Sequence, residues 1–445
     1  MNTKKMCVYW LALVILAGPF ASRGWSQNKS MTGFERDRIL DMLDQIAHDV
    51  QKHYYDSHFH GVDWNAKVAE EKQKIKQETS MNLSLAHVAA ALDALNDSHT
   101  FFLPPRRPFH HSYGFAMQAV GDRCFITRVR PGSDAETKGL KCGDEVLAVN
   151  GWAPQREILW KMDYRYNVLR PEPGLRLALR DPDGHERQVD VAAKFKETKR
   201  VTDLTGENGA SDIWDEIRNE ETQEHLMRAR IEERGDELMV LKVPEFFFSQ
   251  DEVDRWISKA RKHQALIIDL RGNPGGAVDT LKYLVGDIFP DELKIADRVG
   301  RKEMKPETAK SRGDRAFTGK VVVLIDSKSA SAAEIFARLV QLQKRGVVMG
   351  DRSSGSVMEA RRYSYHVGTD VVVFFGASIT ESDLIMSDGK SLEHTGVTPD
   401  ETVVPTGADM ASGRDPVLAH AAETLGVKIS PEEAGKMFPY EWAPE

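Results

Sequence analysis

The sequence has 445 residues, 41% hydrophobic and 29% charged, which is enough apolar chain for two to four packed domains. A net charge of −8 excludes any global attraction to nucleic acid or to an anionic membrane. No repeat period or low-complexity block interrupts the chain.

Lys4 and Lys5 precede an apolar run from Met6 to Phe20, then Ala21 and Ser22. This layout predicts a signal peptide over residues 1–27 and export to the periplasm or beyond the cell. The run is short and broken by Gly18-Pro19, so no stable membrane span is expected after cleavage, while uncleaved anchoring stays open. No cysteine follows the apolar core, which speaks against a lipid-modified N-terminus. Cleavage would remove three basic residues and no acid, taking the charge from −8 to −11. Cys124 and Cys142 then remain as an even pair, compatible with a disulfide or with two free thiols.

Residues 28–106 read as an N-terminal helical domain. Ile39, Leu43, Ile46 and Val50 form one apolar face, and Leu85, Val88, Leu92 and Leu95 form another, with Ser84 as its expected N-cap. Residues 107–196 switch to short β-type runs (CFITRV, EVLAVNG, LRLALRD, RQVDVAA) between turns, and predict a small β-rich domain. Residues 197–236 are polar and read as a linker with surface helices. From 237 to 410, strands (LMVLKV, ALIIDLRG, VVVLI, VVMG, VVVFFG) alternate with helices, which predicts an α/β core with parallel pairing. Residues 411–445 add a C-terminal helix, stopped at Gly426, and a tail.

Four places could carry chemistry. Ser331 follows the strand VVVLI and opens a helix, where a nucleophile and a developing oxyanion can both be held. Ser331 and Glu334 also fit S-x-x-E, a capping box that needs no chemistry. His99, in Asp97-Ser98-His99-Thr100, sits in a loop where an imidazole could serve as general base or simply be solvated. DLRGNPGG, residues 269–276, ends a buried strand, and its glycines either bring amides close to a substrate oxygen or only satisfy a turn. Glu393, in DGKSLEHTGVTPD, could orient a histidine or lie on the surface. No Cys/His spacing resembles a zinc site, and no glycine pattern fits a nucleotide loop.

Together these segments resemble the C-terminal processing, or tail-specific, peptidases of family S41. LIIDLRGNPGG is similar to that family's core strand and glycine turn, DSKSASAAEIFA to its nucleophile segment, and LEHTGVTPD to its E-x-x-G-V-x-P-D segment. The β-rich domain resembles the PDZ domain inserted in these enzymes: LKCGDEVLAVNG is similar to its G-D-x-I-x-x-I-N-G stretch, and Tyr113, Gly114, Phe115 and Ala116 fall in the carboxylate-binding loop.

The resemblance implies a ClpP/crotonase-like α/β core and a serine peptidase acting on polypeptides, helped by recognition of substrate C-termini, with no metal or organic cofactor. It implies Ser331 as nucleophile, with Ala332 and Gly275 or Gly276 as oxyanion donors. Ser-Lys members carry a lysine 25 residues after the nucleophile, where this chain has Ser356. The tricorn-like branch instead uses a histidine with a Ser or Glu relay, which maps to His99, Ser98 and Glu393. An oligomer is compatible with this reading. Two other readings stay open: an inactive S41 fold that binds peptides or apolar ligands, and a PDZ-led scaffold.

Overall fold

The computed structural model describes residues 30–197, 222, 225–369 and 371–443. The expected signal peptide and most of the polar 197–236 segment lie outside the described residues. Among the described residues, no helix is long and apolar enough to cross a membrane.

Helices Gly33–His53, Trp64–Gln77 and Met81–Asp93 bury the two predicted apolar faces in one cluster. Each has a side-chain cap at its start: Thr32 with Glu35, Asp63, and Ser80. The third helix therefore begins a turn earlier than expected. Ser80 takes the cap, and Ser84 is a fully buried interior residue. The periodic residues Leu85 to Leu95 hid this, because Met81 and Leu83 are exposed and off the buried stripe.

The β-rich region is a five-stranded antiparallel sheet over its own cluster, with Phe115–Val120 as an edge strand beside Arg123–Val129. Cys124 and Cys142 are both free thiols there.

The α/β core is a six-stranded sheet in the order Glu401–Thr402, Val347–Gly350, Lys320–Ile325, Ala265–Asp269, Leu238–Lys242, Arg230–Arg234. All pairs are parallel except the last, an antiparallel edge. Helices Gln250–Ala260, Val278–Ile288 and Ala332–Leu342 cover one face, and Pro416–Thr424 and Pro431–Met437 the other. Burial on both faces is why the central strands are continuous apolar runs.

The VVVFFG strand does not join this sheet. It opens Val373–Ile385, the long strand of a second, antiparallel sheet with Phe101–Leu103, Met358–Val367 and Leu293–Val299. Phe375, Ala377 and Ile379 of this strand pack into the helical cluster, and Leu384 into the α/β core. One strand thus joins the body that carries His99 to the body that carries Ser331.

Candidate active site

Five residues, Asp326 to Ala330, separate the strand Lys320–Ile325 from the helix that Ser331 caps. Ser331 has φ +56° and ψ −119°, a conformation that costs a non-glycine residue about 1–3 kcal/mol and persists only when the surroundings impose it. Three contacts impose it here. The Ser331 N–H donates to the Ser356 carbonyl oxygen at 2.8 Å and to Glu334 at 3.0 Å, and Gly275 presses against the side chain. Of the predicted capping box, the Glu334 half is present; the Ser331 hydroxyl makes no cap hydrogen bond, and the Glu334 N–H donates to the Ser331 carbonyl at 3.0 Å.

The glycine turn is built around Asn273, which is fully buried. Its amide donates to the Val243 carbonyl at 2.9 Å, its side-chain oxygen accepts the Gly275 N–H at 2.8 Å, and its carbonyl accepts the Ala330 N–H at 2.9 Å. The Gly275 N–H is thereby committed, so it is not a free oxyanion donor. Among the described residues, the N–H groups of Gly276 and Ala332 keep no protein acceptor. Both glycines are still needed as glycines. A Cβ at Gly275 would lie 2.6 Å from Ser331 Cβ, and one at Gly276 would lie 2.5 Å from the Phe246 carbonyl oxygen.

The histidine side is fixed by an Asx-type turn. Asp97 is buried and accepts the N–H groups of His99 (2.8 Å) and Thr100 (3.1 Å) together with the Thr380 hydroxyl (2.8 Å). Glu393 then accepts the Ser98 N–H (2.8 Å), the Ser98 hydroxyl (2.8 Å) and the Val357 N–H (2.9 Å). Ser98 has one hydroxyl proton, and it goes to Glu393. The 2.8 Å contact between Ser98 Oγ and His99 Nδ1 must therefore be donated by Nδ1–H. That places the imidazole in the tautomer whose Nε2 carries the lone pair. Burial pushes the His99 pKa below its ordinary value, against the opposing pull of Glu393 and Asp97, which keeps the ring neutral at physiological pH.

The two halves meet through residues 353–357. Ser356 bonds Ser331 and Glu334 through its main chain, and Val357 bonds Glu393. Among the described residues, no hydrogen bond joins His99 Nε2 to the Ser331 hydroxyl.

The family model for peptidase family S41 matches residues 237–403, the stretch that holds Ser331, the glycine turn and Glu393. Over these residues the chain is similar to peptidase family S41. A PDZ domain model matches residues 105–158 of the same chain. The chain is 25% identical over 323 residues to the tail-specific protease of Haemophilus influenzae, covering 68% of this chain and 43% of that protein. It is 22% identical over 416 residues to the carboxyl-terminal-processing protease of Picosynechococcus, covering 89% of both. It spans less than two thirds of the length of several curated relatives it matches. Among solved structures, it shares a fold with mature CPAF complexed with lactacystin (TM-score 0.63, 16% identity, 88% of this chain and 98% of that one). It also matches the photosystem II D1 C-terminal processing protease (TM-score 0.51, 16% identity, 91% of this chain and all of that one).

The PDZ domain docks beside the loop that precedes Ser331. Gln118 donates to Asp326 at 2.7 Å, the Ser327 hydroxyl to the Ala119 carbonyl at 2.5 Å, and the Gly121 N–H to Asp351 at 2.9 Å. Gly114 is held at φ +73° against Ser133, where a Cβ would lie 2.4 Å from the serine Cβ. Phe115 and Ala116 begin the edge strand, whose later residues Gln118 and Ala119 meet Asp326 and Ser327. Tyr113 is buried in the domain core, and its hydroxyl accepts the Glu172 N–H at 2.9 Å, so it anchors the loop from behind.

Asp97 and Asn273 were not among the residues the sequence singled out. Their signal was local: an aspartate two residues before the histidine, and an asparagine two residues before the first glycine of the pair.

Proposed function

We propose that this chain is a serine peptidase that hydrolyses polypeptides through an acyl-enzyme on Ser331. The observation that carries the reading is the ordered hydrogen-bond chain Glu393–Ser98–His99, which leaves Nε2 as a proton acceptor facing away from its relay. Ser331 Oγ attacks the scissile carbonyl while His99 Nε2 takes its proton. The Ala332 and Gly276 amides receive the oxyanion, each donor worth about 3–4 kcal/mol. His99 returns the proton to the leaving amine, and water, activated the same way, releases the acyl group. Ser98 and Glu393 hold the imidazole and favour its protonated form. Catalytic hydrogen bonds are often long in the free enzyme and tighten on the substrate, so the reading includes an approach of His99 to Ser331 on binding.

The PDZ domain supplies substrate recognition. Its loop at Tyr113–Ala116 is where a C-terminal carboxylate would dock, displacing the Ser112 hydroxyl from the Gly114 N–H, and the Phe115 end of the edge strand would take an extended chain. The apolar run at Met6–Phe20 supports export as the setting in which the enzyme meets unfolded polypeptides.

The test is cleavage of an unfolded polypeptide by the protein and its Ser331→Ala and His99→Ala variants, with labelling by a serine-reactive phosphonate. Ser331→Ala is expected to lose both activity and label, and His99→Ala to lose activity. Full activity in Ser331→Ala would sink the assignment.

A further inference from the structure

Glu334 has no solvent exposure and no cationic partner among the described residues. A carboxylate in that position is costly to desolvate, and every bond it makes must repay the cost. A helix cap alone would not require it, since an exposed glutamate at the third helical position caps equally well through one amide. Glu334 instead accepts four donors from two separate segments: the Ser331 N–H (3.0 Å), the Ser353 hydroxyl (2.6 Å), and the N–H groups of Gly355 (2.7 Å) and Ser356 (3.0 Å). Three of these four lie on the segment that also reaches Glu393 through the Val357 N–H. The same segment accepts the Ser331 N–H on the Ser356 carbonyl.

We propose that Glu334 is a positioning residue for the reaction: its carboxylate clamps the Ser331 turn to residues 353–357 and so sets the nucleophile against the Glu393–Ser98–His99 side. The proposal rests on the peptidase reading above. It gives the strained serine conformation a cause, because the Ser331 N–H is held at once by the Glu334 carboxylate and by the Ser356 carbonyl of the segment Glu334 orders. It also gives residues 353–357 a role in a chain that has a serine where Ser-Lys enzymes carry their base.

The clamp depends on charge. Burial raises the Glu334 pKa to about 7 against the four hydrogen bonds that lower it. A protonated carboxyl must donate, and of the four groups facing it three are N–H donors and only the Ser353 hydroxyl can accept, so protonation breaks a bond or forces the Ser353 hydroxyl to turn its own proton away. The ionisable groups nearest in this network are Glu393, reached through Val357, and His394, whose N–H donates to the Gly355 carbonyl at 2.8 Å. His99 lies beyond Glu393 and is shifted downward from 6.5. The clamped form therefore exists above pH 7 and is lost as pH falls through it, while His99 loses its lone pair only at lower pH. The acidic limb of kcat belongs to Glu334.

The experiment measures kcat and KM from pH 5.5 to 9, together with the rate of Ser331 labelling by a serine-reactive phosphonate, in the full chain and in Glu334→Gln, Ser353→Ala and Ser331→Ala. For Glu334→Gln, kcat and the labelling rate are expected to fall about 10- to 100-fold at pH 8 with KM nearly unchanged. Its limb near pH 7 should disappear, leaving the lower His99 limb. For Ser353→Ala, the limb is expected to move to higher pH, because the carboxylate has lost a donor. Retention in Glu334→Gln of both the wild-type kcat and the limb near 7 overturns the proposal. If Glu334→Gln does not fold, Ser353→Ala decides, and an unmoved limb overturns it. Activity in Ser331→Ala overturns the peptidase reading instead, so the two failures are distinct.

Discussion

Replacing Gly275 by alanine tests whether the glycine turn sets the nucleophile. The new methyl carbon would lie 2.6 Å from Ser331 Cβ, 2.9 Å from the Ala330 carbonyl oxygen and 3.1 Å from the Ala332 nitrogen. Carbons pack at about 3.5–4.0 Å, so the turn must open by about 1 Å against Ser331. A misplacement of about 1 Å costs roughly 100-fold in rate. The backbone adds a second penalty, because φ +93° costs an alanine about 1–3 kcal/mol. Gly272 separates the two effects: it has φ +76° in the same turn, yet a Cβ there meets nothing within 4 Å. Both variants are expected to lose about 1–3 kcal/mol in denaturant unfolding. Only Gly275→Ala should also lose about 100-fold in kcat/KM and in the rate of phosphonate labelling. Equal peptidase activity in the two variants would refute the argument that contact with Ser331, rather than backbone strain, is what position 275 controls.

Two further substitutions probe the proton path. Ser98→Ala removes the acceptor of the His99 Nδ1–H and a donor to Glu393, so kcat should fall about 10- to 100-fold with KM held; steady-state kinetics on one peptide decides it. Ser356→Ala should keep kcat within about threefold, because Ser356 meets Ser331 and Glu334 only through its main chain and its hydroxyl contacts Ser354. Loss of all activity in Ser356→Ala would mean that the base has been misplaced at His99.

What the sequence made legible follows from how each strand is solvated. VVVLI and ALIID are buried on both faces of a parallel sheet, so they stand out as apolar runs. Met358–Val367 is a longer strand, but its exposed positions carry Arg361, Arg362, Ser364 and His366, and no apolar run announces it. VVVFFG was visible as a strand, yet its sheet was not, because its partners Met358–Val367 and Phe101–Leu103 are recognisable only once paired. Ser331, His99 and Glu393 could be named from segments, whereas Asn273 and Asp97 act through main-chain hydrogen bonds that only the fold reveals. The Gly275 and Gly276 pair illustrates the limit: two adjacent glycines were equivalent as letters, and one side-chain oxygen distinguishes them.

The strand Val373–Ile385 and the segment after it have a bearing on when the proposed site is assembled. Thr100 is held by Thr380, 280 residues later, and Ser98 by Glu393, 295 residues later. A polypeptide is made from its N-terminus, and early segments fold as they emerge. The helices around His99 can therefore form while the residues that aim its imidazole have not yet been made. The growing chain carries no assembled site, and neither does any fragment that stops short of Glu393. On the proposed reading, a peptidase that acts on unfolded polypeptides would thus be spared the one such substrate always within its reach, its own unfinished chain.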